Sequence, residues 1–86
     1  MTQGAKILVV DDTVANVKLL ADLLSFKGYQ VATAASGEEG LKRLAEHRSD
    51  LVLLDIMMPG MNGYEVCRAI RADPAHAVLP VVMVTS

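Results

Sequence analysis

Two kinds of apolar pattern alternate along the chain. Short unbroken aliphatic runs recur as KILVV at 6–10, LVLL at 51–54 and VVMV at 81–84. Runs this short and continuous read as strands buried on both faces, as in a parallel sheet. Between them the apolar spacing turns helical. Val17, Leu20, Ala21 and Leu24 recur at i, i+3, i+4 and i+7, one stripe of a helix. Leu19, Leu23 and Phe26 widen the stripe beyond a single face, so this helix expects neighbours on two sides. Thr13 or Asp12 can cap its start, and Gly28 ends it.

The stretch from Tyr29 to Ala34 is shorter, more polar and partly alternating, which suits an edge strand. Ser36 followed by Glu39 predicts a capping box. The helix it opens carries Leu41, Leu44 and Ala45 inward and Lys42, Arg43 and Glu46 outward, with His47 and Arg48 near its end, where they favour the dipole. His47 reads as a solvated residue. Asp50 leads into the third strand. After a loop from Met57 to Gly63, residues Tyr64 to Ala72 read as a helix with Val66, Cys67 and Ile70 facing in and Arg68 and Arg71 facing out. Asp73-Pro74 stops it. Ala75 to Leu79 reads as a loop in which His76 has no evident partner, and Pro80 opens the last strand, Val81 to Val84.

The order is therefore β-α-β-α-β-α-β, with strands about 20–25 residues apart, a spacing that fits right-handed crossovers and a parallel sheet. All strands of such a sheet end at one edge, where open α/β sheets bind ligands. Three of the four strand ends deliver polar groups there: Asp11 and Asp12, Asp55, and Thr85 with Ser86.

Composition narrows the classes. Eighty-six residues make one domain at most, with little margin in its core. A hydrophobic content of 52% argues against disorder. The net charge of −2 gives no electrostatic case for nucleic acid or membrane lipid. Cys67 is the only cysteine, so no internal disulfide forms, and it reads as a small core residue. With no leader and no apolar run near the length of a membrane span, the expectation is a soluble, cytoplasmic protein.

Asp11, Asp12 and Asp55 would crowd together at the active edge. Like charges that close repel, and a hard divalent cation relieves the repulsion. Mg²⁺ takes one or two carboxylates, a carbonyl and several waters in an octahedron. A carboxylate beside such a metal can attack phosphorus and form an aspartyl phosphate. A hydroxyl at the next strand end, Thr85, can bond a phosphoryl oxygen. Each feature alone has a plainer account, since an Asp pair after a strand is commonly a helix cap. All of them at consecutive parallel strand ends are harder to explain as caps. Met57, Met58, Met61 and Met83 read as packing residues rather than soft-metal ligands, because no Cys or His accompanies them.

The segments VVDD at 9–12, LLDIMMPGMNG at 53–63 and PVVMVTS at 80–86 resemble the receiver domains of two-component response regulators, in order and spacing over essentially the whole chain. The resemblance implies a flavodoxin-like (CheY-like) α/β fold, a parallel sheet of order 2-1-3-4 with helices on both faces. It makes Asp55 the phosphoacceptor, Asp12 the direct Mg²⁺ ligand, Asp11 its acidic neighbour acting through water, and Met57 a backbone-carbonyl ligand. Thr85 becomes the switch hydroxyl and Ser86 the small residue beside it. The partners implied are a sensor histidine kinase or phosphotransfer protein. The stretches ANVKLLADLL and MMPGMNGYEVCRAIRADP are most similar to receivers joined to diguanylate or adenylate cyclases or to hybrid histidine kinases, so a nucleotide cyclase output domain is implied too.

Against that pattern, residues 1–86 read as one truncated receiver domain. The fourth helix, fifth strand and fifth helix are missing, and with them the lysine that ends the fifth strand. Lys6 cannot replace it, because it opens the first strand about 16 Å from the active edge. The expected function is a phosphoacceptor signalling module rather than an enzyme, impaired by truncation, with Val81 to Val84 a bare strand edge that drives homodimer formation. The alternative is an inactive assembly fragment. A phosphatase with an Asp nucleophile fits less well. Phosphatases resembling the haloacid dehalogenase group carry a second Asp two residues after the first, where this chain has Met57.

Overall fold

The computed structural model describes residues 4–84. Four strands, β1 (Lys6–Val10), β2 (Gln30–Ala34), β3 (Leu51–Asp55) and β4 (Val81–Val84), alternate with three helices, α1 (Val14–Phe26), α2 (Gly37–Glu46) and α3 (Gly63–Ala72). All neighbouring strands are parallel, in the order β2-β1-β3-β4. The architecture is thus the flavodoxin-like one, with β2 on an edge as its polar pattern predicts.

Alternate residues of each strand face opposite sides of the sheet. Leu8, Val10, Val52 and Leu54 belong to the main core, which also takes in Leu44 of α2 and Val66 and Ile70 of α3. Val10 pairs with Ala34 on one side and Leu54 on the other, so the centre of the sheet is in register at its carboxyl end. On the opposite face Ile7 and Val9 are buried, and α1 packs against β1 and β2. Val82 and Val84 share that face and stay 46% and 38% exposed.

Helix α1 departs furthest from its pattern. Its stripe of Val17, Leu20, Ala21 and Leu24 is only half-buried, and no residue of the helix is buried outright. Leu19, Leu23 and Phe26 are 67%, 50% and 88% exposed. Thr13 is its N-cap residue, but the side chain makes no capping bond. The helix ends as a Schellman motif. The Tyr29 N–H donates to the Leu24 carbonyl and the Gly28 N–H to that of Ser25, with Gly28 at φ +97°, where glycine carries no β-carbon penalty.

The cap of α2 is half the predicted box. Ser36 Oγ accepts from the Glu39 N–H at 3.1 Å, while Glu39 Oε1 reaches the Ala35 N–H rather than that of Ser36. Ala45, expected inward, is exposed, because the buried line of the helix runs through Gly37, Gly40 and Leu44. Arg43, expected outward, is half-buried and donates to the Thr33 carbonyl. Helix α3 begins one residue earlier than its apolar spacing indicates. Asn62 caps it and Glu65 completes a full capping box. Beyond α3, Asp73 caps a short 3-10 turn, Pro74–His76. His76 does have a partner, its Nδ1 lying 3.4 Å from Asp73 Oδ2.

Candidate functional site

Because β1 and β3 are adjacent and parallel, the residues that follow β1 stand beside the last residue of β3. Asp11, Asp12 and Asp55 each offer a carboxylate oxygen, and these oxygens lie within 4.8 Å of one another. Asp11 and Asp55 are 6% and 3% exposed, and Asp12 is open to solvent. Two carboxylates therefore sit in the edge of the core and the third stands beside them in solvent.

Backbone and helix starts hold these groups. The Asp11 N–H continues the β1–β2 ladder by donating to the Ala34 carbonyl at 3.1 Å. Its Oδ1 accepts the Thr13 N–H at 2.9 Å and its Oδ2 accepts Asn16 Nδ2 at 3.4 Å. Asp11 thus anchors the entry to α1 through Thr13 and Asn16, while neither Asp12 nor Thr13 supplies the expected side-chain cap. Asp55 lies opposite Val84, and the next N–H, of Ile56, donates to the Val84 carbonyl. Asp55 Oδ1 accepts the Met57 N–H at 3.3 Å. The loop then returns so tightly that the Gly63 N–H bonds the Ile56 carbonyl.

The donor set consists of carboxylate oxygens alone, without sulfur or imidazole. Hard oxygen ligands at this spacing suit Mg²⁺, so the residues fit the cation that the resemblance implies. Met57 carries its side chain 69% exposed, beside a cleft of about 420 Å³ that Pro59, Asn62 and Tyr64 also line. Of the other methionines, Met58 is buried in the core, and Met61 and Met83 pack against it, so packing describes three of the four. Cys67 also packs against the core. Thr85 and Ser86 lie outside the described residues. Lys6 is at the far end of β1, its N–H bonded to Asp50 Oδ2. Two site residues escape a reading of the sequence. One is Asn16, whose amide faces Asp11, and the other is Gly63, whose lack of a side chain lets α3 dock. The available signals are an amide set between Ala15 and Val17 in the first turn of α1 and a glycine at the first position after Asn62.

No helix among the described residues is long and apolar enough to cross a membrane. The family model of the response regulator receiver domain matches residues 7–86. The chain is 48% identical to the response regulator PleD of Caulobacter vibrioides over 83 residues, covering 96% of this chain and 18% of PleD. It is 44% identical to the DNA-binding response regulator MtrA of Mycobacterium tuberculosis over 85 residues, covering 99% of this chain and 36% of MtrA. It therefore spans about a fifth to about a third of the length of these curated relatives. Among solved structures, the chemotaxis protein CheY4 of Vibrio cholerae superposes with a TM-score of 0.90 at 35% identity, over 93% of this chain and 67% of that one. Sheet order, carboxylate cluster and sequence agree, and the chain belongs to the response regulator receiver domains of two-component systems.

Proposed function

We propose that residues 1–86 act as one receiver unit in which Asp55 accepts a phosphoryl group from a sensor histidine kinase or a phosphotransfer protein. The observation that carries this reading is the meeting of Asp11, Asp12 and Asp55 within 4.8 Å at the carboxyl ends of β1 and β3. Asp12, Asp55 and the Met57 carbonyl are the ligands for Mg²⁺, with Asp11 acting through water. When bound, the cation neutralises charge so that a phosphoryl group can approach the carboxylates. An Asp55 oxygen then forms the new O–P bond while the P–N bond to the donor's histidine breaks, and the leaving imidazole keeps the electron pair and takes a proton from solvent. Burial of Asp55 limits the water that competes at phosphorus. Thr85 is the hydroxyl that reports the phosphoryl group, and Ser86 leaves room for it.

The unit signals rather than turns over substrate, in the cytoplasm, and passes its state to an output domain such as a nucleotide cyclase. A second reading rests on its own observation. The exposed apolar residues of α1 and β4, together with β4's place at the edge of the described sheet, favour a homodimer of the 86-residue chain.

The test is labelling by a small acyl phosphate in the presence and absence of Mg²⁺, read by intact mass. One phosphoryl group per chain is expected with Mg²⁺, and none in Asp55→Asn. Equal labelling of Asp55→Asn, or labelling indifferent to Mg²⁺, would overturn the assignment.

A further inference from the structure

We propose that Asn16 sets the cation preference of the carboxylate cluster by holding Asp11 out of direct contact with the bound ion, an inference that rests on reading the cluster as a Mg²⁺ site. Asn16 is the third residue of α1, half-buried and flanked on the helix by Ala15 and Val17. Its amide nitrogen lies 3.4 Å from Asp11 Oδ2, and the Thr13 N–H takes Oδ1 at 2.9 Å. Both oxygens of this 6%-exposed carboxylate are therefore held by the first turn of one helix. The backbone bond is short and cannot be removed by substitution. The amide bond is long for an N–H···O contact, and it is the one a side chain controls. Together they fix the plane of the Asp11 carboxylate.

The consequence is chemical. Mg²⁺ binds through one or two carboxylates and keeps several waters, whereas Ca²⁺ gathers six to eight oxygens and takes carboxylates in bidentate fashion. With Asp11 tethered, the cluster presents Asp12 and Asp55 to the ion and leaves Asp11 to bond its water. With Asp11 released, the cluster becomes a three-carboxylate site, which suits the larger ion.

Separate titrations with Mg²⁺ alone and Ca²⁺ alone test this, followed by the amide resonances of Thr13 and Met57, which donate to Asp11 and Asp55. In Asn16→Leu, a good helix former of similar size, Mg²⁺ affinity is expected to fall about tenfold, the scale for losing an outer-shell partner, while Ca²⁺ affinity holds or rises. Asn16→Gln, which keeps the donor on a longer stem, should recover much of the Mg²⁺ preference. If the Leu variant does not fold, Asn16→Ala is read in the same way. An unchanged ratio of the two affinities in the folded variant, or failure of Gln to recover a ratio that Leu has changed, overturns the role of Asn16. Failure of the unsubstituted chain to bind either ion overturns instead the Mg²⁺ reading beneath it.

Discussion

Gly63 presses against Asp55: a β-carbon at position 63 would lie 2.6 Å from the Asp55 carbonyl oxygen and 2.8 Å from Ile56 Cα. Both neighbours are backbone, so neither can turn aside. Together with the bond from the Gly63 N–H to the Ile56 carbonyl at 3.0 Å, this contact ties the start of α3 to the end of β3 and fixes the loop that carries Met57.

Gly63→Ala should therefore destabilise the fold by about 1–3 kcal/mol, the usual cost of overpacking. A urea titration would read this as a lower midpoint with an unchanged slope. An unchanged midpoint would show that α3 slides freely along β3.

Asp12 is the exposed member of the cluster, so its removal probes the metal with little effect on packing. Asp12→Ala combined with Asp55→Asn should abolish Mg²⁺ binding by calorimetry, while the thermal midpoint stays within a few degrees. Equal Mg²⁺ affinity in the double variant would remove these carboxylates from the site.

The bare face of α1 and β4 predicts concentration-dependent association of the 86-residue chain. Sedimentation from micromolar to millimolar concentration should show a growing dimer fraction, reduced in a Phe26→Glu, Val82→Lys variant. Phe26 and Val82 are 88% and 46% exposed, and substitutions at such positions usually change stability by no more than about 0.5 kcal/mol. A sharp monomer at every concentration would show that the four-strand core suffices alone.

Labelling of Asp55 by an acyl phosphate should speed up when the chain is extended through a further strand bearing a lysine at its carboxyl end. Supplying one cationic contact to a developing phosphoryl charge is worth about a hundredfold or more in rate. Equal rates with and without the extension would show that the carboxylates and Mg²⁺ suffice.

Much of this protein was legible in its sequence because strands and helices write their periods into neighbouring residues. The unbroken run Leu51 to Leu54 marks a strand covered on both faces, and an Asp after such a run stands at the sheet's active edge whatever the details of packing. The position of Asp55 at the strand end, beside Asp11 and Asp12, follows from that rule and from the motifs around them. Local spacing also located Gly28 and Ser36, because caps are made within one turn of chain. Tertiary structure decided what depends on distance between segments far apart in sequence. The placing of β1 between β2 and β3 brings the three carboxylates within 4.8 Å. Asn16, in the first turn of α1, reaches Asp11, while Leu19, Leu23 and Phe26 further along the helix stay exposed. An apolar residue signals only that burial would be favourable. Which side of a broadly apolar helix is covered depends on how many neighbours the fold supplies, and among the described residues α1 packs chiefly on β1 and β2.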